Sequence, residues 1–206
     1  MKGKAPGKAS SDASAGRFNA RYYAKWYGED EDREDIADRA AKFVLSYVDH
    51  LDSTVRTALD LGCGLGLWKK ALMKHNPGLR YTGVEFSRHM CEKYGWEQGD
   101  AATYSPGRKF DLVICQGVLQ YLADDDCERA IANLGRLSRR FLYLEVLTTA
   151  DAKQVCCPQG TDFEVYIREA SWYAVRMKKR FVNLGGGLYT TPTMREHYFE
   201  LWCTGG

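Results

Sequence analysis

Apolar residues change their spacing along the chain. Phe18, Tyr22, Tyr23, Trp26 and Tyr27 recur near helical intervals, and so do Ile36, Ala40, Phe43, Val44, Tyr47 and Val48. This predicts two amphipathic helices within Arg17–Leu51. The acidic run Glu29–Asp35 opens the second, where carboxylates suit the positive end of the helix dipole. From Arg56 the pattern becomes short, dense apolar runs: Thr57–Leu61, Arg80–Glu85, Phe110–Cys115 and Phe141–Leu147. Strands buried on both faces have this composition. A weaker strand is expected to end at Asp100. Helical stretches lie between them, at Gly66–His75, Ser87–Tyr94 and Asp124–Leu137. Strands alternating with helices imply an α/β fold, a parallel sheet covered by helices on both faces. Asp162–Lys179 reads as a further amphipathic helix. Arg180–Leu184 and His197–Cys203 read as two strands around Gly185-Gly186-Gly187, an antiparallel finish to the sheet.

Composition divides the chain into three. Residues 1–16 are Ala, Gly, Ser and Lys with almost nothing to bury, and read as a disordered, solvated tail. Residues 17–55 form a helical cap, and residues 56–206 the α/β domain. A length of 206 residues suits one domain. With 29 Lys+Arg against 27 Asp+Glu, no basic footprint for nucleic acid is present. No apolar run approaches the roughly 18 residues of a membrane span. The opening lacks an apolar core, so it does not read as a secretory signal. The seven cysteines are odd in number and contain no Cys-x-x-Cys, which suits reduced thiols in a cytoplasmic protein.

The most informative stretch is Asp60-Leu61-Gly62-Cys63-Gly64-Leu65-Gly66, at the junction of the first strand and the first helix of the sheet. In such sheets ligands bind at the carboxyl ends of the strands, where the order reverses. A dinucleotide site wants Gly-x-Gly-x-x-Gly, but the sixth position from Gly62 is Leu67. No Gly-Lys-Ser/Thr follows, which excludes a P-loop. Asp60 stands beside the turn, where a carboxylate would repel a pyrophosphate but tolerate a cationic cofactor without phosphates.

This stretch resembles the first motif of the class I S-adenosylmethionine-dependent methyltransferases. Tyr81-Thr-Gly-Val-Glu-Phe-Ser87 places Glu85 19 residues after Gly66. In the family an acid there accepts bonds from both ribose hydroxyls, and the next residue, Phe86, lies against the adenine. Gly99-Asp100-Ala101 is similar to the third-strand end, which reads the adenine edge through Asp100 and the N–H of Ala101. Phe110–Tyr121 resembles the fourth-strand motif, with Gln116 beside the methionine and Tyr121 toward the acceptor. The resemblance implies a Rossmann-like, seven-stranded sheet with an antiparallel last strand. Its cofactor set is Asp60, Gly62, Cys63, Gly64, Gly66, Glu85, Phe86, Asp100, Ala101 and Gln116. The cofactor is S-adenosylmethionine, leaving as S-adenosylhomocysteine.

The second half of the pocket leaves a weaker trace, because methyl transfer can rest on positioning alone. The aromatic stripe of the first helix is both a core-packing face and a candidate lid, with Tyr23 the preferred cofactor contact. Arg168 and Trp172 resemble acceptor-pocket residues of small-molecule methyltransferases, although an ion pair and packing also explain them. His197, at the expected start of the last strand, is the one weak candidate for a base. No histidine has a metal-ligand partner, so no metal is expected. The tetrapeptides Asn/Asp-Pro-Pro-Tyr that accompany base or glutamine methylation are absent after the fourth strand. The expected activity is methyl transfer to nitrogen or oxygen of a small molecule, by a monomer or homodimer without nucleic-acid or membrane partners. The alternative is a catalytically inactive cofactor-binding module or partner subunit.

Overall fold

The computed structural model describes residues 16–28 and 31–203. The tail expected at residues 1–16 lies outside them except for Gly16, as do Glu29 and Asp30 of the acidic run. Among the described residues seven strands form one sheet: β1 Thr57–Leu61, β2 Arg80–Glu85, β3 Glu97–Gln98, β4 Phe110–Gln116, β5 Ser138–Glu145, β6 Val182–Gly185 and β7 Leu188–Thr190. Their order is β3-β2-β1-β4-β5-β7-β6. Pairs among β1 to β5 are parallel, and β7 runs antiparallel to both β5 and β6. The chain leaves β1 in one direction to β2 and β3, then returns to the other side of β1 with β4. The reversal lies between β1 and β4.

Helices α1 Ala20–Trp26 and α2 Glu31–His50 precede the sheet. Then come α3 Leu67–His75, α4 Arg88–Tyr94, α5 Asp124–Leu137, α6 Thr149–Gln154, α7 Ala170–Met177 and α8 Pro192–Arg195. Strand alternation sorts the central residues onto two faces. Leu59, Leu61, Val113, Cys115, Leu142 and Leu144 meet α5 and α7 through Ile131, Leu134, Tyr173 and Met177. Ala58, Leu112, Ile114 and Phe141 meet α2 and α3 on the other face. The buried stripe of α2 is Ala37, Ala41, Val44 and Val48, while Ile36 and Phe43 are exposed. Val44 and Val48 of the expected stripe are thus in it, Ala37 and Ala41 join them, and Ile36 and Phe43 fall outside.

Two expected elements are corrected. Asp162–Lys179 is not one helix, since only Ala170–Met177 is helical. Upstream the backbone bonds to distant partners: Tyr166 N–H donates to Gln120 O at 2.8 Å, and Arg168 O accepts from Thr149 N–H at 3.0 Å. Those long-range bonds replace the local helical ones. The final strand is Leu188–Thr190 rather than His197–Cys203. Gly185, Gly186 and Gly187 all take positive φ, at 91°, 57° and 79°, and reverse the chain within a tight hairpin. Pro192 then opens α8, and Glu200–Trp202 is a short 3-10 turn.

Candidate functional site

The junction of β1 and α3 is a turn that only glycine builds without strain at three points. Gly62, Gly64 and Gly66 hold φ of 80°, 49° and 75°. A Cβ on Gly62 would stand 2.3 Å from Val118 Cγ2, and one on Gly66 would stand 2.6 Å from the Trp96 ring. The N–H groups of Gly62 and Cys63 both donate to Val84 O, at 2.8 and 3.2 Å, which ties the turn to β2. Trp96 braces the turn from outside by donating its Nε1–H to Gly64 O at 2.9 Å. Sequence reasoning missed Trp96, because a lone aromatic after a helix carries no positional signal.

Glu85, at the end of β2, turns its buried carboxylate back onto this junction. Its Oε2 accepts from Gly64 N–H and its Oε1 from Ser87 N–H, each at 2.9 Å. Bonds of this charge-assisted kind are the strong ones. Ser87 caps α4 and donates its hydroxyl to Phe18 O, anchoring the segment before α1 over the site. Tyr23 follows on α1, close to the Glu85 carboxylate. Burial, and then the Glu85 charge, push its pKa up. Burial, Asp60 and Glu85 likewise push the Cys63 thiol up, so it is an unreactive neighbour. Phe86 meets Phe18 edge to face, with centroids 6.3 Å apart.

The other expected cofactor residues lie around this cluster. Asp60 is buried and accepts from the Tyr81 hydroxyl at 2.6 Å. Burial raises its pKa to about 7, the Tyr81 bond opposes the rise, and the Glu85 charge adds to it. Asp100 Oδ1 accepts from Ala102 N–H at 2.6 Å, and Ala101 O accepts from the Asn133 amide at 2.9 Å. Gln116, at the end of β4, accepts from Trp68 Nε1–H at 2.7 Å. That bond fixes the carbonyl side of the Gln116 amide.

Beyond β4 and β5 lies a cavity of about 530 Å³, walled by Tyr22, Trp26, Tyr27, Gln120, Tyr121 and Glu145 among others. The Tyr22 and Tyr121 hydroxyls bond to each other at 2.7 Å. Arg17 pairs with Asp162 at 2.8 Å and lies over the Tyr121 ring. These contacts hold α1 across the carboxyl ends of the strands.

Arg168, Trp172 and His197, expected on the acceptor side or as a base, have the following surroundings. Arg168 is a buried tie within the protein: Nε and Nη2 bond Asp124, Nη2 also bonds Leu122 O, and Nη1 faces Leu119 O and the Tyr173 hydroxyl. Its donors are therefore engaged by the fold. The Trp172 ring lies between the guanidinium groups of Arg168 and Arg176, at 4.6 and 3.6 Å, and is not on the cavity wall. His197 is exposed after α8, and Thr191 N–H bonds Arg140 O near the start of β5. That places the segment carrying His197 toward the amino ends of the parallel strands, whereas the glycine turn lies at their carboxyl ends. All seven cysteines are free thiols, and among the described residues no three His, Cys, Asp or Glu side chains gather to hold a metal.

Comparison with known proteins gives the site a setting. Residues 59–140 match a family described as a methyltransferase domain. A trans-aconitate 2-methyltransferase from Azoarcus sp. is 32% identical over 93 residues, covering 42% of this chain and 36% of that protein. The chain thus spans about a third of the length of that curated relative. The crystal structure of magnesium protoporphyrin IX methyltransferase from Synechocystis, with bound S-adenosylhomocysteine, superposes with a TM-score of 0.62 at 16% identity, over 88% of this chain and 97% of that one. The N-methyltransferase NodS from Bradyrhizobium japonicum superposes with a TM-score of 0.59 at 16% identity, over 89% and 100% of the two chains.

Proposed function

We propose that this chain is a class I S-adenosylmethionine-dependent methyltransferase that methylates nitrogen or oxygen of a small-molecule acceptor. The observation that carries the reading is the Glu85 carboxylate, buried at the end of β2 and bonded to Gly64 of the glycine turn. It stands next to the β1/β4 reversal, where open α/β sheets bind ligands. The donor set fits the cofactor. Two carboxylates, Asp60 and Glu85, flank a turn without Lys or Arg, which suits a cation lacking phosphates.

In this reading Glu85 accepts the ribose hydroxyls, and Phe86, Asp100 and Ala101 line the adenine. Gly62, Cys63, Gly64 and Gly66 let the cofactor lie against the backbone, and Gln116 stands at its methionine end. S-adenosylmethionine supplies an activated methyl group. An acceptor lone pair forms a bond to that carbon as the carbon–sulfur bond breaks, and the electron pair stays on sulfur. The chain's part is to align the acceptor and exclude water. Tyr23, beside the Glu85 carboxylate, is the contact that α1 makes with the cofactor. The cap of the site is then α1 alone, since α2 belongs to the helical layer of the sheet.

The near-balanced charge supports a small molecule over nucleic acid. Seven free thiols support a cytoplasmic location, and among the described residues no helix is long and apolar enough to cross a membrane. Thermal unfolding tests the reading. S-adenosylmethionine and S-adenosylhomocysteine raise the transition, by about 2.7 kcal/mol at a hundred times Kd. NAD leaves it unchanged, and the opposite order would remove the assignment.

A further inference from the structure

We infer that the acceptor is an amine, held as its ammonium ion between Glu145 and the aromatic wall of the cavity beside α1. The inference rests on the methyl-transfer reading above and names the substrate class of that site.

Two acceptors on the wall stand open to a donor. Gln120 holds its Oε1 fully buried, and no donor reaches it. Glu145, at the end of β5, receives one bond, from the Tyr143 hydroxyl to Oε2 at 3.2 Å, and is otherwise open. The other carboxylates on the wall are already engaged. Asp162 takes Arg17 and Glu164 N–H, and Asp151 closes a capping box with Thr148. The wall guanidinium of Arg33 donates to Trp26 O and lies over the Tyr27 ring. A ligand rich in N–H donors satisfies Gln120 and Glu145 together, whereas a carboxylate would meet oxygen on both.

Aromatic surface favours the same charge. Tyr22, Trp26, Tyr27 and Tyr121 line the cavity, and the last three already carry Lys25, Arg33 and Arg17, as ring faces attract cations. The position suits transfer. Glu145 pairs in register with Gln116, and Gly117 N–H bonds Glu145 O at 2.9 Å. A nitrogen on the Glu145 carboxylate therefore lies next to the expected methionine end. The ammonium gives its proton through Glu145 to solvent. The neutral nitrogen then uses its lone pair to form the new bond to the methyl carbon, and the carbon–sulfur electrons remain on sulfur. The methylated ammonium product loses its proton by the same route.

Matched probes test this by saturation-transfer NMR: 2-phenylethylamine, 2-phenylethanol, 3-phenylpropionate and trans-aconitate, with and without S-adenosylhomocysteine. The amine is expected to bind at least about tenfold more tightly than its alcohol and acid analogues. Glu145→Gln is expected to remove about tenfold of amine affinity and to leave S-adenosylhomocysteine affinity unchanged. Equal or tighter binding of the acids or the alcohol, no measurable amine binding, or an unaffected Glu145→Gln variant would each overturn the inference. Loss of S-adenosylhomocysteine binding by the wild-type chain would instead remove the methyl-transfer reading, and the amine ranking without cofactor separates the two failures.

Discussion

Glu85 Oε2 accepts a hydrogen bond from the N–H of Gly64 at 2.9 Å, across 21 residues of chain. The bond locks the end of β2 to the turn after β1 and sets a carboxylate beside the backbone that a nucleoside would cover. Replacing Glu85 by Ala is expected to weaken S-adenosylhomocysteine binding by about 1.5–3 kcal/mol, the range for hydrogen bonds to a charged group. Isothermal calorimetry reads this directly. Unchanged affinity in a folded variant would mean that Glu85 does not hold the ribose.

Tyr23 offers the complementary test. Its phenol stands near enough to Glu85 for the carboxylate charge to push its pKa up. As a cofactor contact it should lose about 0.5–1.5 kcal/mol of cofactor affinity on Tyr23→Phe, the worth of an ordinary hydrogen bond. Unchanged or tighter binding would show that the hydroxyl does not assist the cofactor.

Gly62→Ala should destabilise the fold for two separable reasons. Its φ of 80° costs an L-residue about 1–2 kcal/mol, and its Cβ would stand 2.3 Å from Val118 Cγ2. The double variant Gly62→Ala/Val118→Ala relieves the contact and keeps the backbone strain. Urea denaturation should therefore show a coupling of roughly 0.5–3 kcal/mol between the two sites, as for residues in contact. Strict additivity would disprove the clash.

Asp60 gives stability a pH dependence with a definite sign. Burial raises its folded pKa to about 7, whereas the unfolded value is about 3.9. Between these values the folded chain holds the extra proton. The contribution of Asp60 is thus fully favourable below about pH 4 and is lost as pH rises through about 7, a change on the order of 3–4 kcal/mol. Asp60→Asn should flatten the profile between about pH 4 and 8. A wild-type profile with no slope assignable to Asp60 would contradict this.

Arg168 should behave as a structural residue. Truncating it to Ala leaves the carbonyls of Leu119 and Leu122 without their donor, and an unsatisfied buried acceptor costs about 1–3 kcal/mol. Denaturant midpoints would report that loss. Acceptor KM in the folded fraction should stay unchanged, and a selective rise in KM would restore Arg168 to the acceptor site.

Much of the site was legible because its geometry is local. The glycine turn needs small residues at particular positions, and Glu85 is placed by the length of one strand–helix–strand unit. Spacing along the chain reports both. Trp96, Val118 and Trp68 were not legible, since each acts by touching a residue far away in sequence: Gly64, Gly62 and Gln116. The contacts of Arg168, Trp172 and His197 were not legible for the same reason. Their residue types suit chemistry, but their partners come from packing.

By itself the sequence determined the alternation of strand and helix, the bare turn after β1 and the acid after β2. Backbone preference and burial of short apolar runs act over a few residues, and so they leave a readable period. Tertiary structure alone decided that the last strand is Leu188–Thr190, that Arg168 serves the fold, and that α1 walls a cavity with Glu145 opposite. Those outcomes depend on which surfaces meet once the sheet closes, and side-chain contacts across more than a hundred residues carry no periodic trace in the chain.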